Sequence, residues 1–235
     1  MIKLERTSVL NFENAIRGMR NPMNSWDKSD SFYCEECYGG LCEYGGWNGQ
    51  ECPVTDDNRF VLGLNDLALA KRLVKAGSDH RKFLRQIFVS VDITAPLYWW
   101  KEMDTYKVAT VANSCSTMHK IHAKEFTWED FSHEHLMYGV VSGTATSSRQ
   151  MLSTLIQFLN ACRKHYVETK NKNDWWQIIQ LLPSSYNQLR NVTLNYETLL
   201  NQYHSRRHHK LDEWHTYCDW IETLPYAKEL ICGDE

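Results

Sequence analysis

Four cysteines stand close together as Cys34-x2-Cys37-x4-Cys42-x9-Cys52, and thiolates at such spacing can close a tetrahedral zinc site. The stretch 34–52 holds five of the eleven glycines, which permit the tight turns that such a site needs. Only the first pair has the spacing of a zinc ribbon, so the competing reading is a loop of free thiols. A zinc held by four cysteines keeps no open position, which makes it structural. The ten histidines offer less. His204 and His208 fall four apart on one helical face, but no glutamate follows the first of them as a zincin helix requires, so hydrogen-bonding roles are expected.

The arginines point to anions. Arg17 with Arg20, Arg81 with Arg85, and Arg206 with Arg207 and Lys210 form three small clusters on separate elements. Two of them brought together could clamp phosphate oxygens with planar forks, and solvated faces with unrelated ion pairs are the alternative. Nucleophilic catalysis has little support: Ser114, Cys115 and Ser116 lack the G-x-S-x-G elbow, and the chain has neither a Walker loop nor a G-x-G-x-x-G turn. Trp99-Trp100 and Trp175-Trp176 could stack a ring, but at helical spacing core packing is the simpler role.

The elements that must carry these groups are mostly helical. Residues 1–33 read as a short helix running into a turn at Asn21-Pro22. A helix capped by Asn65 has the apolar face Leu67, Leu69, Ala70, Leu73 and Val74, and Gly77 stops it. Phe88–Thr94 alternates apolar and polar residues with β-branching and predicts a strand. Thr94 caps a helix with Pro96 in its first turn, running to about Tyr106, and 107–119 reads as an irregular polar loop. Ser147 or Ser148 caps a long helix striped by Met151, Leu152, Leu155, Ile156, Leu159, Cys162 and Tyr166. Asp174 opens a shorter helix through Leu182, and 185–205 and 209–222 read as two more. The expected class is α+β, dominated by helices with a small antiparallel or mixed sheet.

With 235 residues, 43 % of them hydrophobic and 23 % charged, the chain has the composition of a compact domain with a real core. One domain over 1–235 with an insert at 34–52 is the expectation. The formal net charge of −3, from 26 basic and 29 acidic residues, gives no broad attraction to a nucleic-acid polymer or an anionic membrane. No apolar run reaches membrane-spanning length, and Met1-Ile-Lys-Leu-Glu-Arg lacks a signal-peptide core, so a cytoplasmic protein with reduced thiols at Cys115, Cys162, Cys218 and Cys232 is expected.

The run from Phe88 to His119, a strand ending in Ile93-Thr-Ala-Pro96, then a helix, then Asn113-Ser-Cys-Ser116, resembles the signature region of flavin-dependent thymidylate synthases. Leu182-Pro183 through Asn195, Leu199-Leu200 and Arg206 is similar to that family's C-terminal half, so the likeness covers roughly residues 78–222. It implies the family's fold, a homotetramer with clefts between subunits, and a phosphorylated nucleoside or nucleotide-derived small molecule as ligand. It places Asn113, Ser114, Ser116 and Asn195, with Arg206 in part, at the nucleotide; Arg17, Arg20, Arg81 and Arg85 join them from charge chemistry alone.

The departures are as informative. Asp104-Thr105-Tyr106 stands where the family has R-H-R, and Asn113 to His119 keeps the Asn and Ser of N-E-x-S-x-R-Y while losing its Glu, Arg and Tyr. A late arginine of the family falls near His215-Thr216-Tyr217. Each lost charge-assisted contact is worth about 1.5–3 kcal/mol, so three cost several orders of magnitude in affinity for FAD and dUMP. The reading that follows is a nucleotide-binding relative without thymidylate synthase activity, in one version a phage or prophage type of sponge that sequesters a nucleotide signal. Two alternatives stand beside it. One is a flavin- or folate-dependent enzyme on a pyrimidine nucleotide, with Asp104 as base, His119 as acid, and Tyr106 and Cys115 beside them; the other is a protein-interaction adaptor.

Overall fold

The computed structural model describes residues 2–34 and 59–233. Cys37, Cys42 and Cys52 of the proposed zinc set therefore lie outside the described residues, while Cys34 is buried. Strands β1 (Lys3–Leu10), β4 (Phe88–Pro96), β5 (Val111–Ser114) and β6 (Asn187–Asn195) form one sheet in the order β1-β4-β6-β5, and β2 (Phe32–Tyr33) pairs with β3 (Phe60–Val61). Helices α1 (Phe12–Arg20), α2 (Leu64–Lys75), α3 (Leu97–Met103), α4 (Ser148–Thr169), α5 (Lys172–Leu181), α6 (Tyr196–Arg206) and α7 (Asp212–Glu222) surround these strands in sequence. About half of the described residues are helical, as the expected α+β class requires.

Two compact units emerge. The first comprises residues 1–3, 92–106 and 112–191; the second comprises 4–91, 107–111 and 192–235, so β4 and β6 each contribute to both. In the first, Ile121, Phe126, Phe131, Leu152, Ile156, Leu159 and Ile178 form a buried cluster between α4, α5 and the preceding loop. In the second, Ile16, Leu84, Ile87, Tyr196, Trp214 and Tyr217 are buried with the inward residues of β4 and β6. Ser90 bonds Thr193 at 2.7 Å and Asn191 bonds Asp92 at 2.8 Å, which sets β4 and β6 antiparallel in a single register.

The strand expected at Phe88–Thr94 is present, and Gly77 at φ +101° ends α2 as its left-handed conformation demands. Other expectations need correction. The helix expected over 185–205 is two elements, β6 and then α6. Gln188, Val192 and Leu194 point inward at a two-residue period, and the helical period begins only after Asn195, whose side chain caps α6 by accepting the Thr198 N–H at 2.9 Å. The loop expected at 107–119 contains β5, an edge strand whose residues are all exposed and so carry no alternation. Likewise β1 precedes the short helix expected in residues 1–33.

Caps also differ. Pro96, not Thr94, precedes α3, which ends at Met103, and Asn171, not Asp174, caps α5. The helix expected over 209–222 starts at Asp212. Gly63, not Asn65, is the cap position of α2, and the first amides of that helix, Asn65 and Asp66, donate to the Asp30 carboxylate at 2.8 and 3.1 Å. A Cβ at Gly63 would lie 2.1 Å from that carboxylate, so only glycine lets the two approach.

Ser147 caps α4 as expected, its hydroxyl accepting the Gln150 N–H at 3.1 Å. Ser147→Ala should cost about 1 kcal/mol. A urea midpoint unchanged by the substitution would contradict that role.

Candidate anion cleft and its surroundings

In the second unit, α1, the turns that follow it, α2 and residues 79–86 enclose a cleft of about 1130 Å³. Its α2 wall is Asn65, Ala68, Leu69, Arg72 and Leu73, one face at three- and four-residue spacing. Met19, Leu69, Leu73 and Phe83 give it an apolar lining, while Lys28, Arg72, His80 and Lys82 bring cationic or titratable groups and Asp79 a single carboxylate. Such a cleft suits an anion that carries a flat apolar part.

Arg20 also lines this cleft, yet its guanidinium is engaged: Nε donates to Asp66 Oδ1 at 2.5 Å and Nη1 to the Ser25 carbonyl at 3.3 Å. Burial alone would raise the Asp66 carboxyl, but hydrogen bonds from Ser31, Ser29 and Arg20 and the charge of Arg20 outweigh it, so its pKa is lowered. Arg17, in the last turn of α1, is exposed.

Arg81 and Arg85 converge on one carboxylate. Arg81 Nε reaches Glu197 Oε1 at 3.3 Å, and Arg85 spans both oxygens, through Nε to Oε2 and through Nη2 to Oε1 at 3.2 Å. Asn195 joins this group, donating to the Arg85 carbonyl at 3.3 Å. Burial opposes ionisation of Glu197 too, and hydrogen bonds and charge from Arg85 and Arg81 overcome it, holding its carboxyl below the ordinary value. Arg206, in the last turn of α6, lies 4.9 Å over the Trp214 ring.

Both lowered carboxyls have the same consequence for pH. A group held ionised in the fold stabilises it fully above its unfolded pKa and ceases to do so as pH falls through the folded one. Stability should therefore decline below the ordinary values of 4.5 for glutamate and 3.8 for aspartate. Denaturant midpoints measured from pH 7 to pH 3 check the sign; a midpoint that rises on acidification would contradict it.

The first unit holds the other expected residues. Asn113 and Ser114 are exposed at the end of β5, and the Ser116 hydroxyl accepts the His119 N–H at 2.9 Å. The Cys115 backbone is fixed on both sides, its N–H donating to the Leu189 carbonyl at 2.9 Å and its carbonyl accepting from Gln188 Nε2 at 2.8 Å. Asp104 pairs with Arg190 Nη1 at 2.7 Å, and that guanidinium stacks 4.2 Å over the buried Trp100 ring. Tyr106 is half-buried, and both Cys115 and His119 are exposed.

Sequence reasoning had missed Arg190 and Glu197, because their partners are distant in the chain, and Arg72, Lys28, His80 and Lys82 as cleft residues, because none has a motif. The α2 face on which Arg72 interrupts Leu69 and Leu73 was the one available signal. Among the described residues, no group of three or more His, Cys, Asp or Glu could hold a metal ion, and no helix is long and apolar enough to cross a membrane.

Against solved structures, thymidylate synthase X from Helicobacter pylori with FAD and dUMP superposes with a TM-score of 0.62 at 15 % identity, covering 98 % of this chain and 97 % of that one. The chain has the flavin-dependent thymidylate synthase fold. A UMP/dUMP methylase, PolB from Streptomyces cacaoi bound with 5-Br dUMP, superposes at a TM-score of 0.56 and 12 % identity, covering 99 % of this chain and 94 % of that one. No family model and no curated protein matches the sequence. At such identities the flavin-dependent thymidylate synthase likeness is one of architecture, and the chemistry must be argued from this chain's own residues.

Proposed function

We propose that this protein binds a phosphorylated nucleoside in the cleft of its second unit and does not synthesise thymidylate. The observation that carries the reading is an apolar lining beside Lys28, Arg72, His80 and Lys82, on a fold shared with two enzymes solved with uracil nucleotides. The base would lie against Met19, Leu69, Leu73 and Phe83, and the phosphate at the cations. Of the residues expected at the nucleotide, Arg20 lines this cleft with its charge engaged by Asp66, Arg17, Asn195 and Arg206 belong to the same unit outside the lining, and Asn113, Ser114 and Ser116 belong to the other unit. A cytoplasmic homotetramer that retains its ligand without turnover, a nucleotide sponge, is the form this function takes.

The residues at hand do not suit FAD. Asp104 stands at the first of the three positions where the family carries R-H-R and is itself neutralised by Arg190, and Arg81 and Arg85 are both spent on Glu197. The Asp104 carboxylate is engaged by its ion pair with Arg190, which counts against the flavin- or folate-dependent alternative.

Titration calorimetry with UMP, dUMP, their diphosphates, cyclic nucleotides and the parent nucleosides tests the proposal. Phosphorylated ligands should bind and bare nucleosides bind more weakly; no heat from any of them at high micromolar ligand ends it. Arg72→Gln should weaken the best ligand roughly tenfold, the value of one charge-assisted contact. An unchanged Kd would remove Arg72 from the site. Light scattering on the purified protein reads the assembly.

A further inference from the structure

Two arginines four residues apart and the first turn of a helix together make an anion seat, the arrangement by which proteins hold phosphate. Here Arg81 precedes the 3-10 turn Lys82–Gln86 and Arg85 lies within it, and Glu197 is the second residue of α6, an 11-residue helix capped by Asn195. The occupant is the chain's own carboxylate. Both Glu197 oxygens are engaged by the arginines, and its side chain is 13 % exposed, whereas Arg85, which also donates to the Ser78 carbonyl at 3.3 Å, is 46 % exposed. Asp79 is the other carboxylate that acts on Arg85.

We propose that Glu197 is a built-in anion that fills a two-arginine seat and thereby determines specificity, excluding a phosphate from a position the rest of the seat is shaped to bind. For the identity of the cellular ligand this rests on the nucleotide reading above, since the residues between and beside the two arginines, His80, Lys82 and Gln86, line the proposed cleft. Arg81, Arg85 and Glu197 do not themselves line the cleft, so a nucleotide meets its cations at Arg72 and Lys82 and the filled seat stands beside them. The physical reason is Coulombic and steric: Glu197 cancels one of the two guanidinium charges and fills the donors of both, Asp79 acts on Arg85 as well, and a phosphate arriving there must displace a covalently tethered competitor present at high effective concentration.

Glu197→Gln keeps the shape of the side chain and removes its charge. Inorganic phosphate is the probe, read by thermal shift and titration against sodium chloride at matched ionic strength. The wild-type protein should respond to phosphate no more than to chloride at this seat, while E197Q should bind phosphate at least roughly tenfold more tightly, a gain of one charge-assisted contact. The double variant E197Q/R85Q should lose that gain. Equal responses of wild type and E197Q would overturn the proposal, as would a gain that survives E197Q/R85Q. So would an E197Q protein that fails to fold even in phosphate, because an anion in the seat must be able to replace the carboxylate. Phosphate binding gained by E197Q in a protein that binds no nucleotide would refute the nucleotide reading and leave the seat standing; nucleotide binding by wild type without any gain in E197Q would do the reverse.

Discussion

Asp66→Ala should destabilise the protein by about 3–5 kcal/mol, the cost of breaking a buried ion pair from one side. The carboxylate is 0 % exposed and is held by five donors: Arg20 Nε at 2.5 Å, Ser29 Oγ at 2.7 Å, Ser31 Oγ at 2.5 Å, and the backbone N–H groups of Asp30 and Ser31 at 3.3 and 3.1 Å. Alanine would remove every acceptor at once and leave Arg20 charged and buried without its partner. Since an ordinary domain has only about 5–15 kcal/mol to lose, the variant should sit near its unfolding threshold at 37 °C. Asp66→Asn, which keeps an acceptor oxygen, should cost less, and Arg20→Met in the Asp66→Leu background should recover most of the loss. Urea unfolding gives all three values. A loss below about 1 kcal/mol for Asp66→Ala would show that the pair does not hold the 29–31 segment to α2.

In the first unit, Trp100→Ala should cost a further comparable amount, about 3–5 kcal/mol, the range for deleting a buried aromatic ring. Trp100 is buried against Trp99 in an edge-on pair at 4.9 Å, and its Nε1–H donates to the Gln188 carbonyl at 3.0 Å. Its face also supports the Arg190 guanidinium, which gains from the ring quadrupole as well as from Asp104. Trp100→Phe keeps the face and loses the donor, so it should cost about 1 kcal/mol plus the smaller ring. Because β6 contributes Gln188 and Arg190, the larger substitution should also loosen Cys115, whose carbonyl Gln188 holds. Hydrogen exchange at the Cys115 amide reads this directly; protection unchanged in Trp100→Ala would separate the ring from the β5 anchor.

Local patterns carried much of the fold. β4 was legible because Val89, Val91 and Ile93 are buried at a two-residue period, α2 because its apolar stripe and the Gly77 stop agree, and α4 because its stripe and the Ser147 cap agree. β6 was not, since Asn187, Arg190 and Asn191 dilute its inward residues and the helix-forming run from Tyr196 follows without a turn. β5 has no buried face at all, so neither period could mark it.

The site was legible only as residue types. Arg81 and Arg85 were recognisable as a guanidinium pair, but what they face is set by Glu197, 116 and 112 residues away, and Arg20 meets Asp66 across 46 residues. Nothing in the spacing of a single segment reveals such a partner, and the partner decides whether an arginine is open to a ligand. Asn195 shows the same limit: the sequence reading put it inside one helix, and only the folded chain makes it the cap of α6 beside the two arginines.

The account turns on whether a nucleotide occupies the cleft between α1, α2 and residues 79–86. Crystals grown with 5-bromo-dUMP, with anomalous scattering used to locate the bromine, test this most directly. The predicted result is a bromine peak within the lining of Met19, Leu69, Leu73 and Phe83, with the phosphate at Arg72 and Lys82. Crystals with no bromine peak at millimolar ligand, or with one only on a surface away from this cleft, would contradict it.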